Sequence, residues 1–198
     1  SKMEVKTTCT CTPYLIGNRP AKGDHIAWSE SSAVCFSNSV LGSYTNREGG
    51  PSALASALTG KTPEFGFHLD KNRQAQVIVN VTGTIETFTD FGALGHAIGE
   101  KVGKKIVLIT GVGQEAASED ALKVFSASIA TYAGAAIFHM EGITPNETVK
   151  PEESVEITQE DLDKSKAFLT DAENIDIVAV GCPHCSPEEL EEIAGLLE

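Results

Sequence analysis

Apolar and polar positions alternate in blocks from Gln74 onward, and the blocks read as strand, helix, strand, helix. Val77 to Val81, Ile106 to Thr110, Ala135 to Met140 and Ile175 to Val180 are short β-branched or apolar runs, the length and composition of buried strands. Between them, Thr89 to Val102 predicts a helix weakened by glycines. Ser118 to Ala133 predicts a stronger one, with Leu122, Phe125 and Ile129 near helical spacing. Thr158 with Asp161 opens a further helix. Ser186 as cap, Pro187 at the first helical position and Glu189 three residues after the cap start the last, to Leu197. Strands separated by helices predict an α/β fold with a largely parallel sheet flanked by helices, in which ligands collect at the carboxyl ends of the strands.

The chain before this pattern is different. Thr8 to Gly23 is rich in turn formers, Ser29 to Val40 predicts a helix with Ala33, Phe36 and Val40 on one face, and Ser52 to Leu58 predicts a second. Polar side chains crowd this region: Ser29, Glu30, Ser31, Ser32, Ser37, Asn38 and Ser39 lead into Thr45, Asn46, Arg47, Glu48, Gly49 and Gly50. The expected division is therefore a loop and helix segment over 1–72 and an α/β domain over 73–198. Acidic Glu147 to Glu156, broken by Pro151, reads as a solvated connector.

Composition narrows the function classes. With 198 residues, 41% of them apolar, the chain is long enough for one ordinary domain or two small ones sharing a core. Fifteen basic against 28 acidic residues leave a formal charge of −13, so nucleic acid and anionic membrane surfaces are excluded as partners. The chain shows no basic, then apolar, then small-residue leader, and its apolar runs are shorter than the roughly 20 residues of a membrane span. A soluble, cytoplasmic protein is expected.

Its 5 cysteines, Cys9, Cys11, Cys35, Cys182 and Cys185, are odd in number and argue against a disulfide framework. Cys182-Pro183-His184-Cys185 stands where a strand is expected to meet a capped helix, a setting that favours a thiolate or a metal cluster. The C-x-x-C form fits a thiol oxidoreductase, but thioredoxin-like domains carry it early, with most of their sheet still to come. Two buried structural thiols are the plainer reading. Zinc would want four ligands, which Cys9-Thr10-Cys11 does not complete as a standard knuckle. An iron–sulfur cluster held by three cysteines would need sulfurs distant in sequence to converge, as Cys9 or Cys11 and Cys182 can in principle. Arg47, among glycines that permit tight turns, is a candidate grip for a carboxylate or phosphate, against the plainer reading of a surface ion pair with Glu48. His25, His68, His96 and His139 show no metal-binding spacing and read as structural or exposed, while His184 lies between the paired cysteines. Gly111-Val112-Gly113 lacks the third glycine of a dinucleotide fingerprint.

Several motifs run in order along nearly the whole chain: Thr10-Cys11-Thr12-Pro13-Tyr14, Ala27-Trp28-Ser29-Glu30-Ser31-Ser32-Ala33-Val34, Asn38-Ser39-Val40-Leu41-Gly42, Thr45-Asn46-Arg47-Glu48-Gly49-Gly50, Pro63-Glu64-Phe65-Gly66-Phe67-His68-Leu69-Asp70 and Gly181-Cys182-Pro183-His184. Together they resemble aconitase X, hydro-lyases related to aconitase that include archaeal phosphomevalonate dehydratase and bacterial cis-3-hydroxyproline dehydratase. The likeness is to the archaeal large subunit. It implies an aconitase-like subdomain that dehydrates a small hydroxy acid, with mevalonate 5-phosphate going to anhydromevalonate phosphate.

It further implies an iron–sulfur cluster, expected as 4Fe–4S, with Cys11 and Cys182 as ligands, a third cysteine outside this chain, and an iron that coordinates the leaving hydroxyl. Cys9, Cys35 and Cys185 take no such role. Ser29, Glu30, Ser31, Asn38, Ser39, Thr45, Asn46, Arg47 and His184 are the implied substrate-binding residues. The catalytic serine or base is expected on a small swivelling-domain partner subunit. Family large subunits also carry roughly a hundred further N-terminal residues on ordinary domain sizes, and the Ser1-Lys2-Met3 opening reads as an expression scar. The chain is thus expected to be a central fragment, inactive alone. Two readings from other classes stand beside this one: a non-catalytic domain that docks a partner, and a thiol oxidoreductase using Cys182 and Cys185.

Overall fold

The structure, a computed structural model, describes residues 8–169 and 176–197. Four strands are found among them: β1 (Val77–Val81), β2 (Val107–Thr110), β3 (His139–Met140) and β4 (Ser154–Ile157). All pair in parallel in the order β3-β2-β1-β4. Six α-helices accompany them: α1 (Ser31–Phe36), α2 (Gly50–Thr59), α3 (Phe88–Val102), α4 (Glu119–Tyr132), α5 (Gln159–Leu169) and α6 (Pro187–Gly195). The α/β expectation is met.

Local chemistry sets the helix ends. Thr87 and Asp90 close a capping box on α3, Ser118 caps α4, and Thr158 and Asp161 exchange bonds at the start of α5. The glycines expected to weaken α3 have a packing reason instead. A Cβ at Gly95 would overlap Ser128, and one at Gly99 would overlap Tyr132. The Ser128 hydroxyl also donates to Gly92 O at 2.6 Å, so α3 and α4 lie backbone-close. Their apolar faces (Phe91, Leu94 and Ile98; Leu122, Phe125 and Ile129) cover the sheet. Tyr14, Ala33, Cys35 and Phe36 from the first region join the same hydrophobic cluster.

Three predicted elements differ. The helix over Ser29 to Val40 is shorter: α1 ends at Phe36, a π-helical turn takes Ser37–Leu41, and Gly42 closes it in the left-handed region at φ 73°. The strand over Ala135 to Met140 shrinks to β3, because Ala135 O, Ala136 O and Phe138 N are bonded by the Arg47, Asn38 and Ser39 side chains. The fourth strand is Ser154–Ile157, overlapping the end of the expected acidic connector over Glu147 to Glu156. It pairs with β1 alone, and such an edge position tolerates Glu156.

The strand expected over Ile175 to Val180 is not found. Residue 175 lies outside the described residues, and 176–180 adopt no strand. Ile177 is 86% and Val178 72% exposed. A buried strand needs neighbours to bond its backbone and cover its faces, and among the described residues none does so here. No helix among the described residues is long and apolar enough to cross a membrane.

Candidate functional site

Two extended strips of the first region lie side by side. Tyr44 N donates to Asp24 O at 2.8 Å, Ile26 N to Tyr44 O at 2.9 Å, and Glu48 N to Trp28 O at 3.0 Å. This pairing brings the Trp28-Ser29-Glu30 motif beside the Asn46-Arg47-Glu48 motif. Thr45 holds the register: its hydroxyl accepts from Trp28 N at 3.1 Å and donates to Asn46 O at 2.7 Å. Ser29 and Arg47 are exposed at the ends of the strips. Glu30 caps α1, accepting from Ala33 N at 2.6 Å and from the hydroxyls of Ser32 and Ser31 at 2.8 and 3.4 Å. Arg47 donates to Ala135 O at 3.2 Å, and Glu48 accepts from Ser52 at 2.6 Å, so the structure shows no Arg47–Glu48 ion pair among the described residues.

Asn38, Ser39 and Thr45 are fully buried. The Asn38 amide donates to Thr45 O and Ala136 O at 2.8 and 2.9 Å, while its Oδ1 accepts from Thr45 N and Arg73 Nη1, both at 3.0 Å. Ser39 accepts from Phe138 N at 2.9 Å. In this structure their polar atoms serve the protein's own backbone. Asn46 is similar, gripping Phe65 O and Phe67 N at 3.1 and 2.8 Å. A Cβ at Gly66 would overlap the Asn46 amide, and Gly66 also has φ +59°, so only glycine suits that place.

Arg73, which sequence reasoning missed, is the hub of this frame. It is 4% exposed and donates to Asn38 Oδ1, Phe67 O and Asn38 O at 3.0 Å and to Ser43 O at 2.9 Å. Its guanidinium stacks on Tyr44 at 4.1 Å. A buried arginine surrounded by carbonyls leaves no motif in a sequence. Beyond Tyr44 the stack continues to His25 and His68, whose Nδ1 atoms are 2.8 Å apart, beside a cavity of about 750 Å³ that Trp28, Lys61 and Glu64 help to line. Burial and then the neighbouring His25 lower the His68 pKa.

The Cys182–Cys185 loop meets the opening turn beside Cys11. Pro13–Leu15 forms a single 3₁₀ turn that stacks Tyr14 on Phe36 at 4.1 Å. Against the turn before it lies the Cys182–Cys185 loop: His184 N donates to Cys11 Sγ at 3.1 Å, and Cys11 N donates to His184 Nδ1 at 3.3 Å. Residues 173 apart in sequence therefore exchange two hydrogen bonds. With Nδ1 accepting, a neutral His184 carries its proton on Nε2. Cys182 is exposed, Cys11 and Cys185 are partly so, and Cys9 is exposed. Cys35 is fully buried, and burial pushes its thiol up to about 12, so it stays a neutral, packed side chain.

The surroundings suit a charged inorganic group. The His184 N–H aimed at the Cys11 sulfur is the kind of supporting hydrogen bond that orients a metal-ligating sulfur. The Tyr14 hydroxyl is buried without a partner among the described residues, and burial followed by the field of Cys11 pushes its pKa up, which keeps it a donor. Among the described residues no three His, Cys, Asp or Glu side chains are grouped to hold a metal ion by themselves.

Known proteins place the chain. Residues 1–71 match the aconitase X first domain and residues 75–167 the aconitase X second domain. The chain is 46% identical over 200 residues to the phosphomevalonate dehydratase large subunit of Thermococcus kodakarensis, covering 99% of this chain and 51% of that protein. It is 45% identical over 202 residues to the subunit of the same name from Methanothermobacter thermautotrophicus, covering 100% and 50%. Among solved structures, the holo-form of aconitase X from Thermococcus kodakaraensis superposes with a TM-score of 0.91 at 44% identity, covering 99% of this chain and 51% of that one. The chain spans about half the length of the curated relatives it matches.

Proposed function

The chain belongs to the aconitase X family, and we propose on that premise that it forms part of the large subunit of a cytoplasmic hydro-lyase that dehydrates mevalonate 5-phosphate to anhydromevalonate phosphate. Relatives bearing the name phosphomevalonate dehydratase large subunit support the substrate class. The observation that carries the reading is the paired hydrogen bonding of His184 and Cys11, which seats the Cys182 loop on the opening turn.

Cys11 and Cys182 would hold an iron–sulfur cluster together with a third cysteine supplied outside this chain. When bound, such a cluster supplies a Lewis-acidic iron for a leaving hydroxyl. The chain's own residues do the rest of the holding. Arg47, exposed and anchored to Ala135 O, grips the phosphate or carboxylate, joined by Ser29 at the end of the adjoining strip and Ser31 at the start of α1. His184 offers its Nε2–H to substrate oxygen beside Cys11. Asn38, Ser39, Thr45 and Asn46 keep the two strips in register, and Glu30 fixes the helix that follows. The proton is taken by a base on the small swivelling partner subunit, so this chain alone does not turn over.

The test is the full-length large subunit, reconstituted with its small subunit and iron. Water loss from mevalonate 5-phosphate is expected, and Cys11→Ala or Cys182→Ala should each remove the cluster's visible absorbance. An assembled, iron-loaded complex that leaves mevalonate 5-phosphate intact overturns the substrate assignment; unchanged spectra in both variants overturn the ligands.

A further inference from the structure

We propose that Lys123 is a positioning residue, the centre of an ionic clamp between α4 and the cap of α6 that seats the Cys182–Cys185 loop on Cys11. The Lys123 side chain is 2% exposed, on a helix face it shares with buried Ser126 and Ala130, a place where an ammonium is costly without carboxylate partners. It has two. Nζ lies 2.8 Å from Asp120 Oδ1 and bonds Glu189 Oε2 of α6. Burial alone would lower the Lys123 pKa, but the two carboxylates outweigh it and raise it.

Glu189 Oε2 also accepts from Ser186 N at 2.6 Å, and the Ser186 hydroxyl accepts from Glu189 N at 3.2 Å and bonds Asp120 Oδ2 at 3.3 Å. The capping box of α6 is thus tied to α4 through both of its residues. Ser186 directly follows Cys185, and two residues before it His184 makes its bonds to Cys11. Apolar packing is a weak anchor among the described residues: α6 has no buried residue, Ile193 is only partly covered, and Leu190 is 51% exposed. What sets the loop on Cys11 is therefore a polar linkage centred on one buried lysine. The consequence for a cluster rests on the reading of Cys11 and Cys182 given above; the clamp does not.

The test replaces Lys123 by methionine, of similar length and apolar, in the full-length large subunit assembled with its small subunit and iron. Amide exchange at Cys11, His184 and Ser186 should rise about tenfold or more, as in local opening, while β1 and β2 amides keep their protection. Iron retention and visible absorbance should fall by roughly tenfold, the scale on which supporting groups act on metal sites. Lys123→Arg should restore both. Unchanged exchange at the three amides, or loss of protection that Lys123→Arg does not reverse, overturns the clamp. If Lys123→Met also unprotects the sheet, Glu189→Gln is read in its place, with the same two outcomes. Cys182→Ala separates the claims: iron kept in that variant defeats the ligand reading, while exchange still decides the clamp.

Discussion

The frame around Arg73 and the arm that carries Cys182 are both polar, and they are held in opposite ways. Asn38, Ser39, Ser43 and Thr45 have no exposed surface, and their bonds run to one another, to Arg73 and to the backbone of 135–138. Residues 176–197 are largely exposed and meet the body through a few charged and hydrogen-bonded contacts. A frame with every group committed makes a rigid support, because removing one member strands several others. An arm on a few contacts leaves its sulfurs open. The difference separates what holds the candidate site from what the site presents.

The largest effect should come from the frame. Asn38→Ala removes four side-chain hydrogen bonds and leaves the Arg73 guanidinium and the Thr45 amide short of acceptors. A stability loss of about 3–5 kcal/mol is expected in urea denaturation. A loss under about 1 kcal/mol would show that the frame is no more committed than the arm. Gly66→Ala comes next, at about 1–3 kcal/mol, since a side chain is strained at φ +59° and would displace Asn46. In the arm, Ser186→Ala deletes a helix cap worth about 1 kcal/mol. Its effect should stay local, raising exchange in α6 while the melting temperature of the body holds; a matching drop in both would mean that arm and body unfold as one unit.

How much of this could be read beforehand follows from the range of the interactions. The predicted run matches β1 at both ends, and the predicted starts of α3, α4 and α5 lie within a residue or two of the observed ones, because caps and apolar periodicity are local. The shortened β3 was hidden, since what bonds Ala135, Ala136 and Phe138 comes from side chains roughly a hundred positions earlier. The strand Ser154–Ile157 is masked by Glu156 and by the acidic residues that precede it, and an edge admits such a charge. Arg73 and Lys123 carried no signal, because a buried charge is recognised only by the partners the fold delivers. Arg47 and Asn38 stood equally in the polar motifs, yet one is exposed and the other sealed. The π-helical turn that buries Asn38 and Ser39 is a departure that periodicity does not announce.

The smallest effect sharpens the comparison through pH. Burial lowers the pKa of His68, with the facing His25 and Arg73 adding to it against Glu48. Burial likewise lowers that of His139, whose Nε2 lies 2.6 Å from Arg73 O. Both belong to the frame's surroundings. A histidine whose folded pKa lies below its ordinary 6.5 binds protons more readily unfolded, so its stability contribution is full above that value and shrinks as pH falls through it. Stability should therefore decline modestly from pH 7.5 to pH 5 (roughly the titration range of histidine). Asp90 and Asp161 lie outside this window. Burial would raise Asp90 and Asp161, but Lys166 with Thr87 and Lys101 with Thr158 hold them down to about 2, so their contributions are lost only as pH drops from 3.8 toward that value. Urea denaturation across the range measures the slope, and His68→Gln should flatten it without changing exchange at Ser186. A slope that survives in both His68→Gln and His139→Gln would place its origin outside the frame.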